Sequence, residues 1–129
     1  MRIKLKKPSL LVYIVGDGLV DLNSYQEKSK VTDSMVVIKE SSIAYYTLGM
    51  VDEAGEVAGK VKKLYRDHDG VLTEEYKKEI AKEIGDVLWY VSQLCTKMGL
   101  SLDEVAQMNI EKIYSRFERN KVHGDGDNR

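Results

Sequence analysis

Glu53-Ala54-Gly55-Glu56-Val57 and Glu83-Ile84-Gly85-Asp86-Val87 are two versions of one pattern. Each sets two carboxylates three residues apart with a glycine between them, in a stretch whose apolar residues recur every three or four positions. At about 100° per residue, that spacing belongs to helices, and each side chain can be given an angle. With Glu53 at 0°, Glu56 falls at about 300°, Lys60 at about 340° and Lys63 at about 280°. Val51, Ala54, Val57, Ala58, Val61 and Leu64 then cover roughly 20° to 160°. With Glu83 at 0°, Asp86, Tyr90 and Gln93 fall at about 300°, 340° and 280°. Ile80, Ile84, Val87, Leu88, Val91 and Leu94 form the matching apolar arc. Two helices thus share one layout, a polar stripe along the edge of an expected buried face.

The short connection at Asp67–Leu72 favours antiparallel neighbours, so the pattern predicts an all-α fold, an antiparallel helical bundle. A glycine inside a helix costs about 1 kcal/mol relative to alanine, so Gly55 and Gly85 suggest close helix approach.

Working outward, the first of these helices is expected from Leu48 to about Arg66, ended by His68-Asp69-Gly70. Thr73 caps the second, which runs to about Met98 and stops at Gly99. Ser101 and Glu104 form a capping box for a third, reaching about Asn120. Upstream, Asn23 and Gln26 resemble another capping box, opening a helix over Ser24–Thr32, while Val31–Thr47 mixes helical and extended signals. Leu10–Val15 and the Gly16-Asp17-Gly18 turn read as a strand or short β-hairpin. The expected organisation is an N-terminal extension (1–21), a helical domain (22–120) and a polar tail (121–129), flexible unless a partner orders it.

Composition narrows the class. The 129 residues are 43% hydrophobic and 32% charged, ordinary for one globular domain. Twenty Lys and Arg against 21 Asp and Glu leave a net charge of −1, which excludes a nucleic-acid binder working by bulk positive charge. A single cysteine, Cys95, rules out an intramolecular disulfide framework, reads as buried and structural, and fits a cytoplasmic setting. No apolar run approaches the ~20 residues of a membrane span, and Pro8 interrupts anything like a signal peptide.

If the stripes converge, Glu53, Glu56, Glu83 and Asp86 repel one another and lose hydration, so they either take up protons or gather a cation. Oxygen ligands without Cys or a suitably spaced His select a hard ion: Mg²⁺, with Mn²⁺ able to substitute. Mg²⁺ is usually shared with substrate phosphates, which points to a metal-assisted reaction at a phosphate. On the third helix Asn109, Lys112 and Arg116 fall on one stripe, where an amide and two cations can hold a phosphate chain or simply form a polar face. Lys60 and Lys63 can pair with nearby carboxylates or reach phosphate, and Tyr90 can touch ribose or phosphate or tuck beside the core. Trp89, at about 240°, lies outside the apolar arc, which suggests a subunit interface or a stacked base.

Glu53-x-x-Glu56, a 26-residue gap and Glu83-x-x-Asp86 resemble the signature of the MazG-like, all-α nucleoside triphosphate pyrophosphohydrolases. Asn109-x-x-Lys112-x-x-x-Arg116-Phe117 is similar to that family's third-helix motif, and Gly124–Arg129 to the tail of its small phage and bacterial members. Tyr25-Gln26 and Thr32 fit its first helix. The resemblance covers about residues 22–129. It implies a dimer or tetramer and hydrolysis of a nucleoside triphosphate to the monophosphate and pyrophosphate. Glu53, Glu56, Glu83 and Asp86 would bind Mg²⁺, one of them also orienting the attacking water. Lys112 and Arg116 would bind phosphates, with Asn109 supporting the metal or its water.

Two other readings stay open. A non-catalytic helical interaction module would keep the bundle and tolerate loss of Glu83 or Asp86. A di-iron carboxylate bundle would need an E-x-x-H motif, which the chain lacks.

Overall fold

The computed structural model describes residues 20–35 and 43–127, and the possible β-hairpin near the N-terminus lies outside them. Four helices follow in order: α1 Leu22–Met35, α2 Ile43–Asp67, α3 Glu74–Lys97 and α4 Leu102–Glu118. No strand occurs among the described residues, so the fold is an all-α bundle. None of these helices is long and apolar enough to cross a membrane.

The ends follow local chemistry. Thr73 caps α3, its hydroxyl accepting from Tyr76 N–H, and Ser101 caps α4 by accepting from Glu104 N–H. Gly99, at φ +70°, ends the α3 turn in the left-handed region that glycine enters without strain. At α1 the expected Asn23 cap is replaced by Asp21, whose carboxylate accepts from Ser24 N–H at 2.8 Å. Aspartate caps as well as asparagine, and here the helix begins two residues earlier than the motif suggested. The mixed segment resolves in part, since α2 already begins at Ile43.

α2 and α3 make the most extensive helix pair and run antiparallel. Early residues of α2 meet late residues of α3: Gly49 faces the Tyr90 ring, whereas Lys60, farther along, bonds Glu79 and Glu83. The pair therefore meets along the polar stripe. The apolar arc expected to be buried is mostly half-buried, with Val51 61% and Ile84 53% exposed and only Leu64 of the α2 arc fully buried. The glycine expectation is corrected too. A Cβ at Gly55 or Gly85 would meet nothing within 4 Å, whereas one at Gly49 would lie 2.1 Å from Tyr90 Cε1. Close approach occurs where a large ring needs the space.

α1 packs across α3 through small and polar side chains. Ser29 and Ser92, both buried, share a hydrogen bond of 2.8 Å. Trp89 donates its indole N–H to Thr32 Oγ1 at 2.8 Å, so this ring is engaged within the chain. Asp33 accepts from the Tyr46 hydroxyl at 2.6 Å and pairs with Lys97 at 3.1 Å, tying α1, α2 and α3 together. Cys95 is buried, and burial pushes its thiol above the ordinary range, as befits a structural cysteine.

Candidate active site

Helical phase alone brings α2 and α3 carboxylates to one seam, and the structure places three of them together. Glu53, Glu83 and Asp86 each offer a carboxylate oxygen within 4.8 Å of the others. Glu56 shares the stripe but is exposed and stands outside this group. Glu53 and Glu83 are half-buried and Asp86 is exposed, so the cluster opens outward at one side.

Burial, then the negative charges of Asp86, Asp52, Glu83 and Glu56, holds the Glu53 carboxyl above its usual range. Among the described residues Lys60 supplies a compensating cation. Lys60 Nζ lies 3.1 Å from Glu83 Oε1 and 3.7 Å from Glu79 Oε2, and its hydrogen bond to Glu83 raises its affinity for the proton. Oxygen donors, mutual repulsion and an outward opening are the chemistry of a site for a hard cation.

Tyr90 borders this cluster. Burial, then the hydrogen bond and charge of Tyr45, with Glu53 and Asp52 behind them, pushes its phenol up to about 12. It is therefore a hydroxyl donor at neutral pH. Trp89 meets Tyr90 edge-on at 5.0 Å between centroids, and Tyr46 stands 6.5 Å from Tyr90, so an aromatic wall adjoins the carboxylates. Tyr25 of α1 is near enough for the charge of Asp86, together with burial, to raise its phenol.

The α4 residues are placed differently. Lys112 and Arg116 share one stripe, as expected, but their bonds run to the C-terminal tail. Arg116 Nη2 lies 2.9 Å and Lys112 Nζ 3.3 Å from Asp127 Oδ1, and Arg116 also donates to the Asp127 carbonyl at 3.0 Å. Asn109 is exposed and shares an open hollow with Val105, Met108 and Lys112. Among the described residues none of these bonds joins the α4 stripe to the acidic cluster within one chain.

Sequence reasoning passed over Glu79, Gly49 and Asp127. Glu79 and Gly49 could have been found by extending the phase count one turn back from Glu83 and Glu53, at about 320°. Asp127 gives no such signal, because its contact is made by an irregular tail.

An antiparallel helical pair carrying a three-carboxylate cluster with a lysine at its rim has the oxygen-donor set that can hold a metal ion. The chain matches the model of the MazG nucleotide pyrophosphohydrolase domain over residues 41–120, and it belongs to that family. It is 48% identical to Gene 37 protein of Mycobacterium phage L5 over 87 residues, 67% of this chain and 76% of the relative. It is also 34% identical to the uncharacterized protein YvdC of Bacillus subtilis (strain 168) over 74 residues, 54% of this chain and 70% of the relative. No solved structure matches it. Family membership supplies the class of activity, hydrolysis of a nucleotide's pyrophosphate linkage.

Proposed function

We propose that this protein hydrolyses nucleoside triphosphates, ribo- or deoxyribonucleotides and non-canonical ones included, to the monophosphate and pyrophosphate, cleaning the nucleotide pool. The carboxylate oxygens of Glu53, Glu83 and Asp86, within 4.8 Å of one another, carry this reading. These residues would hold Mg²⁺ (or Mn²⁺), which supplies charge neutralisation at the phosphates and a more acidic water.

The chain's own residues do the rest. Glu56, one turn along the stripe and outside the cluster, is the carboxylate left to receive the proton of the attacking water. Water oxygen bonds to the α-phosphorus, the α–β bridging bond breaks, and pyrophosphate leaves. Tyr90 donates its hydroxyl toward the ribose or a phosphate oxygen. Lys60 exchanges Glu83 for substrate phosphate. Lys112 and Arg116, supported by Asn109, grip the distal phosphates.

Those α4 residues, bonded to the tail in the single chain, would serve the cluster of a second copy, and the surface supports such an assembly. Val51, Ile84, Leu48 at 70% exposed and Phe117 at 72% leave apolar area uncovered in the single chain. The proposed working form is a cytoplasmic homo-oligomer, a dimer or tetramer. Light scattering checks it against the 14.7 kDa mass of one chain.

The test of activity is product analysis. Wild-type protein with Mg²⁺ and a panel of NTPs and dNTPs is expected to release NMP and pyrophosphate, to stop with chelator and to resume with Mg²⁺. Glu83→Gln or Asp86→Asn is expected to lower turnover by about a hundredfold or more while the helical circular-dichroism signal persists. Full activity in both variants, or NDP with orthophosphate as first products, would overturn the assignment.

A further inference from the structure

Gln93 is wholly buried, and among the described residues neither its amide oxygen nor its amide nitrogen has a hydrogen-bond partner. Among buried side chains this is anomalous: Gln26, Ser29 and Ser92 are all bonded. A buried amide with both ends unpaired is costly to keep, and its persistence calls for a partner that arrives from outside.

Its position says what that partner is. On α3, Gln93 follows Asp86 by two turns, on the same stripe within about 20°. That stripe lies between the arc holding Trp89, Ser92 and Thr96, which bond α1, and the arc holding Tyr90 and Glu83, which face α2. Two turns span about 10 Å along the axis at 1.5 Å per residue, with Tyr90 one turn from Asp86. A nucleotide whose α-phosphate sits at the carboxylates extends its ribose past Tyr90 and carries its base to the level of Gln93.

The chemistry agrees. A neutral amide offers one acceptor and two donors, the complement of a base edge that alternates the two; phosphate would ask for donors and positive charge. Trp89 and Tyr90, one turn before it on α3, and Tyr46 packed against both rings supply aromatic surface. Enzymes that read a base out of its stack combine such surface with hydrogen bonds to the Watson–Crick edge.

We propose that Gln93 is the specificity-determining residue of this site, selecting the nucleobase through paired hydrogen bonds from its buried amide. The proposal rests on the nucleotide reading of the acidic cluster. In the unliganded chain the amide is covered, so a base enters as a neighbouring ring turns aside, and the orphaned amide atoms gain the bonds the closed chain denies them.

The experiment compares full-length wild type with Gln93→Met and Gln93→Leu. For each, kcat/KM is measured with dATP, dCTP, dGTP, dTTP and dUTP and Mg²⁺. The wild type is expected to prefer some bases, and both substitutions to shrink the spread between best and worst substrate by about tenfold or more. The poorest substrate should change by less than about threefold, because its triphosphate contacts are untouched. Melting temperature should hold or rise in both variants, since an apolar side chain of similar size removes the unpaired atoms. If the wild type cleaves these triphosphates and its base ratios survive both substitutions, Gln93 is structural and the proposal fails alone. A wild type that cleaves none of them overturns the nucleotide reading itself, and the role of Gln93 with it.

Discussion

Lys60 Nζ lies 3.1 Å from Glu83 Oε1, crossing from α2 to α3 at the rim of the carboxylate cluster. The lysine therefore occupies, electrostatically, part of the role of a bound cation. Both side chains are mostly covered by their neighbours, so the pair is screened less than a fully solvated one. Lys60→Met is expected to lower the melting temperature of the metal-free protein. It should also enlarge the stabilisation given by saturating Mg²⁺, because Glu83 no longer has a competing partner. Thermal unfolding with and without Mg²⁺ checks both parts. A smaller Mg²⁺ effect in the variant would contradict the competition.

Gly49 is irreplaceable for a different reason. An added Cβ would fall 2.1 Å from the Tyr90 ring, so Gly49→Ala must drive the ring off its seat beside Glu53. The expected cost is about 1–3 kcal/mol, as for other overpacked sites, accompanied by loss of turnover. Gly55→Ala meets nothing within 4 Å and should instead stabilise the single chain by about 0.5–1 kcal/mol. Denaturant unfolding of the two variants side by side separates the sites.

Asp127 brackets the two α4 cations. Its hydrogen bonds with Arg116, then Lys112, hold its carboxyl below the usual value of 3.8. A carboxylate lowered in the folded chain contributes its contact above the unfolded value and loses it as pH falls through the folded one. The tail is therefore expected to leave α4 only below pH 3.8, and at neutral pH to loosen with salt. The Gly126 amide resonance followed through acid and salt titrations reports this directly. Asp127→Asn removes the negative charge held against Lys112 and Arg116, and with both assigned to phosphate it should lower KM for the triphosphate about two- to fivefold at unchanged kcat. A raised KM would mean that the tail completes the site instead of competing for it.

The sequence made the α2–α3 site readable because helical phase is rigid. Glu53, Glu56, Glu83 and Asp86 were expected to share a seam if the two helices ran antiparallel along their stripes, and three of the four do. Phase could not say which side of each helix would meet the other. The apolar arc looked like the inner face, yet the pair closed along its polar stripe, because the Tyr90 ring found its seat at Gly49. Val51 and Ile84 remain uncovered as a result. The partner of Trp89 was illegible for a related reason: α1 supplies Thr32 as its hydrogen-bond acceptor, and nothing in α3 alone announces where α1 will lie. Asp127 was illegible because irregular backbone carries no periodicity to count.

The attachment of α4 has a bearing on how the chain comes together. Gln26 accepts from Leu102 N–H at 2.8 Å and donates to the Leu100 carbonyl at 2.9 Å, across 76 and 74 residues of sequence. One glutamine of the first helix thus finishes the start of the last, sharing that task with Ser101 next door. Such a remote cap can form only after α1 has docked on α3, which makes α4 a late arrival in folding and the first segment to come away. The helix bearing the two tail-bound cations is also the one whose seating depends on the whole chain before it, so its arrival certifies that the α1–α3 interior has closed.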